Sequence, residues 1–306
     1  MPREKRLKIK GSVYHIISRS ISEVDLFKND EDKEKYLKLI KDSKLLYNFK
    51  VYGYCLMDNH VHLIVADNGS DISKVMHNIN FRYARYFNAI HKRHGHLFQD
   101  RFKSIIVETD RQLQALSLYI HNNPAAAKMR EKPEEYRFSS LGYYLGIRKD
   151  ELEIAEKNFV LDLFAKDRKQ AIEKYCEFIK TTSEKPLKEI AEIDFELENN
   201  ISEYRSEKKV LIRNFKPEDV MSYVANLFER NKSIFHLKNY NEVMEAKSLV
   251  VVLLRNLCNV SCKDICKILG NITSANVSYL SRTGINLIIN NKKYINIISS
   301  FVACYC

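Results

Sequence analysis

The sequence predicts an α+β chain: a mixed N-terminal half built on an antiparallel sheet, followed by an all-α C-terminal region. Two observations carry this prediction. Up to about residue 146, short β-branched runs alternate with apolar segments at helical spacing, and beyond it the spacing is helical. The chain has 306 residues, 45% hydrophobic and 29% charged, enough for two or three globular domains.

The elements follow in order. Ser12–Arg19 alternates and reads as a strand. Asn29-Asp30 caps a helix running to about Tyr47, with Tyr36, Leu37, Leu39, Ile40 and Leu45 on its buried face. Phe49–Leu56 is a second strand. The stretch Tyr54–Asp67 contains a third, and the tight Asp58-Asn59 turn makes the two an antiparallel hairpin. Ser70-Asp71 caps a helix from Ile72 to His91. Its apolar face takes Val75, Ile79, Phe81, Tyr83 and Phe87; its other face carries Lys74, Arg82, Arg85 and Lys92. Phe102–Thr109 is a fourth strand and Arg111–Asn123 a third helix. The order β-α-β-β-α-β-α is the ferredoxin-like, split βαβ pattern.

Candidate chemistry sits on two of these elements. Side chains alternate along a strand, so His60 and His62 share one face while Val61 and Leu63 take the other. Two imidazoles side by side make half of a metal site; the plainer alternative is a half-buried strand with a polar face. On the third helix Tyr119 and Asn123 are one turn apart and point together. Pro124 is expected to pull Asn123 away from helical geometry. The plainer alternative for Tyr119 is a packed aromatic, one of 18 tyrosines.

Six motifs in order then carry a resemblance. They are Y-H-I-I-S-R at Tyr14–Arg19, M-D-N-H-V-H-L-I-V at Met57–Val65, Y-F-N at Tyr86–Asn88, G-H-L-F-Q-D-R-F at Gly95–Phe102, Y-I-H-N-N-P at Tyr119–Pro124 and Y-R-F-S-S at Tyr136–Ser140. Over residues 1–146 the chain resembles the REP-associated tyrosine transposases, a branch of the HUH single-tyrosine transposase superfamily. The resemblance implies a metal-dependent nuclease core in which His60 and His62 bind Mg²⁺ or Mn²⁺ and Tyr119 is the nucleophile. Asn123 matches a polar position that completes the metal shell. The implied activity is cleavage and rejoining of hairpin-bearing single-stranded DNA through a 5′-phosphotyrosine intermediate. His121, Glu108 and water stay open as the general base. Two departures bear on DNA contacts: Ala125-Ala126-Ala127 follow Pro124, and an aromatic that is commonly Trp is Phe98 and again Phe138.

The C-terminal region divides into a helical extension and linker over residues 147–214 and a helical domain over 215–306. Leu161–Ile179 has helical spacing, 181–186 and 199–214 read as linkers, and a helix begins at Pro217. Tyr240–Leu257 is a long apolar helix. Ser261 then caps a short one that ends at Gly270, and Thr273–Ile288 forms another. A short helix, a glycine turn and a further helix make a helix-turn-helix outline. It resembles the DNA-binding domain of the bacterial replication initiator DnaA, although the initiator's base-contacting loop is replaced here by Gly270–Ala275. Cys258, Cys262 and Cys266 recur every four residues and fit a helix ladder better than a metal-ligand pattern.

Charge agrees with a polyanionic partner. The net charge is +11, and residues 1–150 hold 27 Lys and Arg against 18 Asp and Glu. Arg82, Arg85, Lys92, Arg93, Arg101 and Lys103 are the expected DNA-binding residues. The expected partners are hairpin-forming single-stranded DNA and a second copy of the chain as a homodimer, with no membrane. The charged N-terminus lacks an apolar signal core and the seven cysteines are odd in number, so a cytoplasmic, nucleoid-associated protein is expected. The competing class is a non-catalytic DNA-binding regulator derived from a transposase.

Overall fold

The structure, a computed structural model, describes residues 12–21, 24–181, 215–237, 241–258, 260–270 and 272–305. The expected linkers at 182–186 and 199–214 lie outside these residues. The chain forms two compact units. One comprises Met1–Lys41, Phe49–Asn68 and Met76–Val210; the other comprises Asp42–Asn48, Gly69–Val75 and Leu211–Cys306. Among the described residues no helix is long and apolar enough to cross a membrane.

The first unit is built on strands β1 (Val13–Arg19), β2 (Lys50–Leu56), β3 (His60–Ala66) and β4 (Lys103–Val107). Their order across the sheet is β2-β3-β1-β4, with every neighbouring pair antiparallel. Helices α1 (Asp30–Tyr47), α2 (Ile72–Ile90) and α3 (Asp110–Ala126) complete the split βαβ arrangement that the element order predicts. Three local signals start these helices. Asn29 Oδ1 accepts from Asp32 N at 3.0 Å. Asp71 Oδ1 accepts from Ser73 N. Thr109 and Gln112 form a reciprocal capping box at α3.

Three contacts assign the helices to opposite faces. Ser18 points away from Ile17 and Arg19 on β1, and its hydroxyl accepts from Asn80 Nδ2 of α2 at 3.0 Å. Asn80 in turn accepts from Tyr36 of α1 at 2.9 Å, so α1 and α2 cover the Ser18 face. α3 covers the other: a Cβ added to Gly53 of β2 would stand 3.2 Å from Ile120 Cδ1. Covered on both faces, β1 and β3 are buried along nearly their whole length.

The outer edge of β2 is closed from later in the chain. Phe138 O accepts from Leu56 N, and Ser140 N donates to Tyr54 O. Ala155 bridges to Val51. The Y-R-F-S-S motif thus removes an unpaired sheet edge, a role its sequence does not announce. Beyond it come α4 (Leu141–Tyr144), α5 (Lys157–Asp162) and α6 (Arg168–Thr181).

Three expectations are corrected. α3 does not yield at Pro124 but continues to Ala126, with Ala127 N bonded to Asn123 O at 2.9 Å. The proline sits in the last turn, where the missing N–H removes a single bond. Phe81 is 54% exposed, because the buried stripe of α2 runs through Val75, Met76, Ile79, Tyr83 and Phe87 and leaves it on the far side. The single stretch Leu161–Ile179 is two helices, since Asp167 accepts from Gln170 N and starts a new one.

The second unit is helical: α7 (Pro217–Leu227), α8 (Asn241–Leu257), α9 (Cys262–Leu269), α10 (Ser274–Asn290) and α11 (Ile297–Tyr305). α8 is its centre, buried around its circumference through Val243, Ala246 and the run Ser248–Leu254. Its crossing with α10 is close: a Cβ at Gly284 would fall 2.3 Å from Ser248 O. The expected caps are present. Ser261 and Asp264 cap each other at α9, Gly270 ends it at φ 61°, and Thr273 accepts from Asn276 N at α10.

Candidate active site

His60 and His62 lie on the face of the sheet that α3 covers. Register extends this face onto β1, where Arg19 is opposite His60, Ile17 opposite His62 and His15 opposite Ile64. On β4, Lys103 is opposite Ile17, and on β2, Cys55 is opposite His62. α3 brings Tyr119 onto this row. Its ring stands edge-on to His62, centroids 5.8 Å apart, and to His15, 6.4 Å apart. His60 and His62 are themselves 4.8 Å apart, also edge to face. Residues far apart in sequence therefore converge on one patch, with Tyr119 half-buried above the buried imidazoles of His15 and His62.

The turn that starts β3 is held from several directions. Lys33 Nζ donates to Asp58 Oδ1 at 2.8 Å and to Tyr136 Oη at 3.0 Å. Burial opposes the Lys33 charge, but these hydrogen bonds outweigh it and raise its pKa. Asn59 O accepts from Ser20 N at 3.0 Å, and Phe27 N donates to Asp58 O. Asn59 Oδ1 lies 2.6 Å from His60 Nδ1. Asp58 and Asn59 of the M-D-N-H run thus act in placing His60.

Sequence reasoning missed His15. Its Nε2 is 2.9 Å from His62 Nδ1, and the two rings stack at 5.2 Å. Both are buried, at 3% and 2% exposure. Burial, aided by the neighbouring His60, lowers the His15 pKa to about 3. Burial and the Arg19 charge lower that of His60 to about 4, against the pull of Asp58. Burial drives His62 well below its usual value, with His60, His15 and Arg19 adding to it. All three imidazoles are neutral at physiological pH and keep a lone pair, as a metal ligand must.

The other expected residues divide. Lys103 shares the histidine row. Arg101 follows the segment Leu97–Gln99, which runs beside the end of β1 through Ile21 N to Leu97 O and Gln99 N to Arg19 O. Arg93 donates to His96 O at 2.9 Å. Arg82 and Arg85 are carried by α2, the helix on the opposite face, and Arg85 lies over the Phe81 ring at 5.8 Å. Asn123 is half-buried, one turn beyond Tyr119 on α3. His121 is fully buried, with Nδ1 2.7 Å from Tyr175 Oη and Nε2 2.7 Å from Ser140 Oγ, so it ties α6 and the β2 edge to α3. Glu108 is exposed just before the α3 cap.

This fold and this patch define a ferredoxin-like core with a histidine pair beneath a helical tyrosine. Residues 8–123 match the family described as "Transposase IS200 like", so the N-terminal part of the chain is similar to these transposases, as its motifs indicate. Among solved structures, the chain is similar to that of a REP-associated tyrosine transposase bound to a REP hairpin. The identity is 17% and the TM-score 0.42, over 48% of this chain and 86% of the other. No curated protein matches the chain.

Proposed function

We propose that this protein is a DNA strand transferase. It cuts hairpin-bearing single-stranded DNA by transesterification and rejoins it through a 5′-phosphotyrosine. The observation that carries the reading is the placement of Tyr119 over His62, on the sheet face that also holds His60. The match of residues 8–123 to a transposase family supports DNA processing as its setting.

The Tyr119 oxygen attacks the phosphorus, a P–O bond to Tyr119 forms and the bond to the 3′-oxygen breaks. The phenolic proton leaves to a base or water, and the departing 3′-oxygen gains one to become a hydroxyl. One phosphoester replaces another, so the reverse attack by a 3′-OH rejoins the strand. A free phenol has a pKa of about 10, so the hydroxyl needs help to lose its proton. Arg19 and Lys103, on the same face, offer positive charge to the incoming phosphate.

The donor set suits a divalent cation. His60 and His62 are neutral, and each has its Nδ1 engaged, by Asn59 and by His15, which leaves Nε2 as the donor atom. Among the described residues no group of three or more His, Cys, Asp or Glu is placed to hold a metal; in this reading the Asn123 amide, water and the DNA phosphate would take the remaining positions. When bound, Mg²⁺ or Mn²⁺ supplies a Lewis acid that polarises the phosphate and draws off developing charge.

We assign target binding to the second unit. The succession of α9, ending at Gly270, and α10, capped by Thr273, fits the helix-turn-helix outline, and Asn276, Tyr279 and Arg282 are exposed on α10. Incubating the full-length protein with labelled hairpin oligonucleotides and Mn²⁺ tests the reading. Cleavage that stops on chelation is the expected result. Oligonucleotides left intact under every metal and hairpin condition would remove it.

A further inference from the structure

The Y-H-I-I-S-R motif of β1 supplies a histidine that the proposed chemistry does not itself use. His15 and His62 meet through ring nitrogens 2.9 Å apart in a stacked, buried pair. A hydrogen bond between two uncharged imidazoles needs one N–H and one lone pair, which leaves two arrangements. If His15 donates from Nε2, the proton of His62 resides on Nε2 and neither of its nitrogens has a lone pair for a cation. If His62 donates from Nδ1, its Nε2 lone pair is available and His15 carries its proton on Nδ1.

His60 shows which arrangement matches. Its Nδ1 lies 2.6 Å from Asn59 Oδ1, an atom that only accepts, so His60 donates from Nδ1 and keeps its lone pair on Nε2. The two histidines form a matched pair only when His62 does the same, with His15 as its acceptor. We propose that His15 is a positioning residue: it accepts the Nδ1 proton of His62 and thereby fixes that ring in the tautomer that binds a divalent cation. The proposal rests on the reading of His60 and His62 as metal ligands. It gives β1 the part that a carboxylate or a backbone carbonyl plays behind many metal-bound histidines.

Two measurements on the full chain test it. Long-range ¹H–¹⁵N spectra of metal-free protein labelled at histidine report the tautomer directly, with His62→Gln identifying the signal. A proton on Nδ1 of His62 is expected; a proton on Nε2 overturns the proposal. The second measurement is Mn²⁺ affinity by electron paramagnetic resonance in wild type, His15→Gln, His15→Leu and His62→Ala. Gln places an acceptor oxygen near the position of Nε2 and should bind close to wild type, whereas Leu should weaken binding by about 10–100-fold. Wild-type affinity in His15→Leu, beside loss in His62→Ala, overturns the role of His15 and leaves the metal reading standing. No Mn²⁺ binding in wild type overturns both. Should His15→Leu fail to fold, the wild-type tautomer decides.

Discussion

The Tyr119 ring meets the His62 ring edge-on, centroids 5.8 Å apart and planes at 84°. The proposed nucleophile on a helix and the proposed donor on a strand are thereby held by two rigid elements rather than by loops, which is how a reactive geometry is kept without ordering cost. His60→Ala and His62→Ala should each abolish metal-dependent DNA cleavage. His60 sits at the partly exposed end of β3, so its variant should keep a wild-type melting profile. His62 is buried, so His62→Ala should also lower the melting temperature. A His60→Ala protein that cuts at the wild-type rate would refute the ligand assignment.

DNA affinity of the full chain should fall as salt rises, with a log–log slope of about −0.7 for each phosphate contact on a single strand. Lys103 shares the histidine row and Arg85 is carried by the helix on the other face. Lys103→Ala should therefore reduce the slope by about one contact, and Arg85→Ala should leave it nearly unchanged. The reverse pattern in fluorescence-anisotropy titrations would place the DNA on the α2 side.

Acid should destabilise the first unit. His121 is fully buried and its pKa is lowered to about 3 by burial. The folded value lies below the free value of about 6.5, so between the two the unfolded chain binds more protons. Stability is then lost as pH falls through that window, by about 1.4 kcal/mol per pH unit for each neutral histidine. Melting temperatures at pH 7 and pH 5 should differ in that direction. An unchanged or higher midpoint at pH 5 would mean that these imidazoles accept protons in the folded state.

Much of the first unit is legible in the sequence because its signals are local. The Asn29 and Asp71 caps, the Asp58-Asn59 turn and the alternation of His60-Val61-His62-Leu63 each depend on neighbouring residues alone. What could not be read depends on strand order. His15 and Arg19 join the site only because β1 lies between β3 and β4, and nothing within Tyr14–Arg19 states which strand it will pair with. A signal did exist: the split βαβ order implies that pairing, and alternation then puts His15, Ile17 and Arg19 on one face. His121 shows the opposite failure. Two residues from Tyr119 it reads as a candidate base, yet the helix turns it into the core against Tyr175 and Ser140.

The second unit depends on one close helix crossing. Gly284→Ala would place a methyl group 2.3 Å from the Ser248 carbonyl oxygen, a backbone atom that cannot swing aside. The variant should lose about 1–3 kcal/mol of stability, the usual cost of overpacking. Denaturant unfolding followed by circular dichroism measures it, and a variant as stable as wild type would show that α8 and α10 cross less closely.

The most direct measurement of the central claim is a covalent one. Wild-type protein incubated with labelled hairpin DNA and Mn²⁺ should give an adduct that survives denaturant. Mass spectrometry should map it to the peptide containing Tyr119. Tyr119→Phe removes one oxygen and keeps the ring, so it should bind DNA as wild type does, give no adduct and lose cleavage by many orders of magnitude. An adduct on Tyr83, Tyr86 or any other tyrosine, or one that persists in Tyr119→Phe, would contradict the assignment.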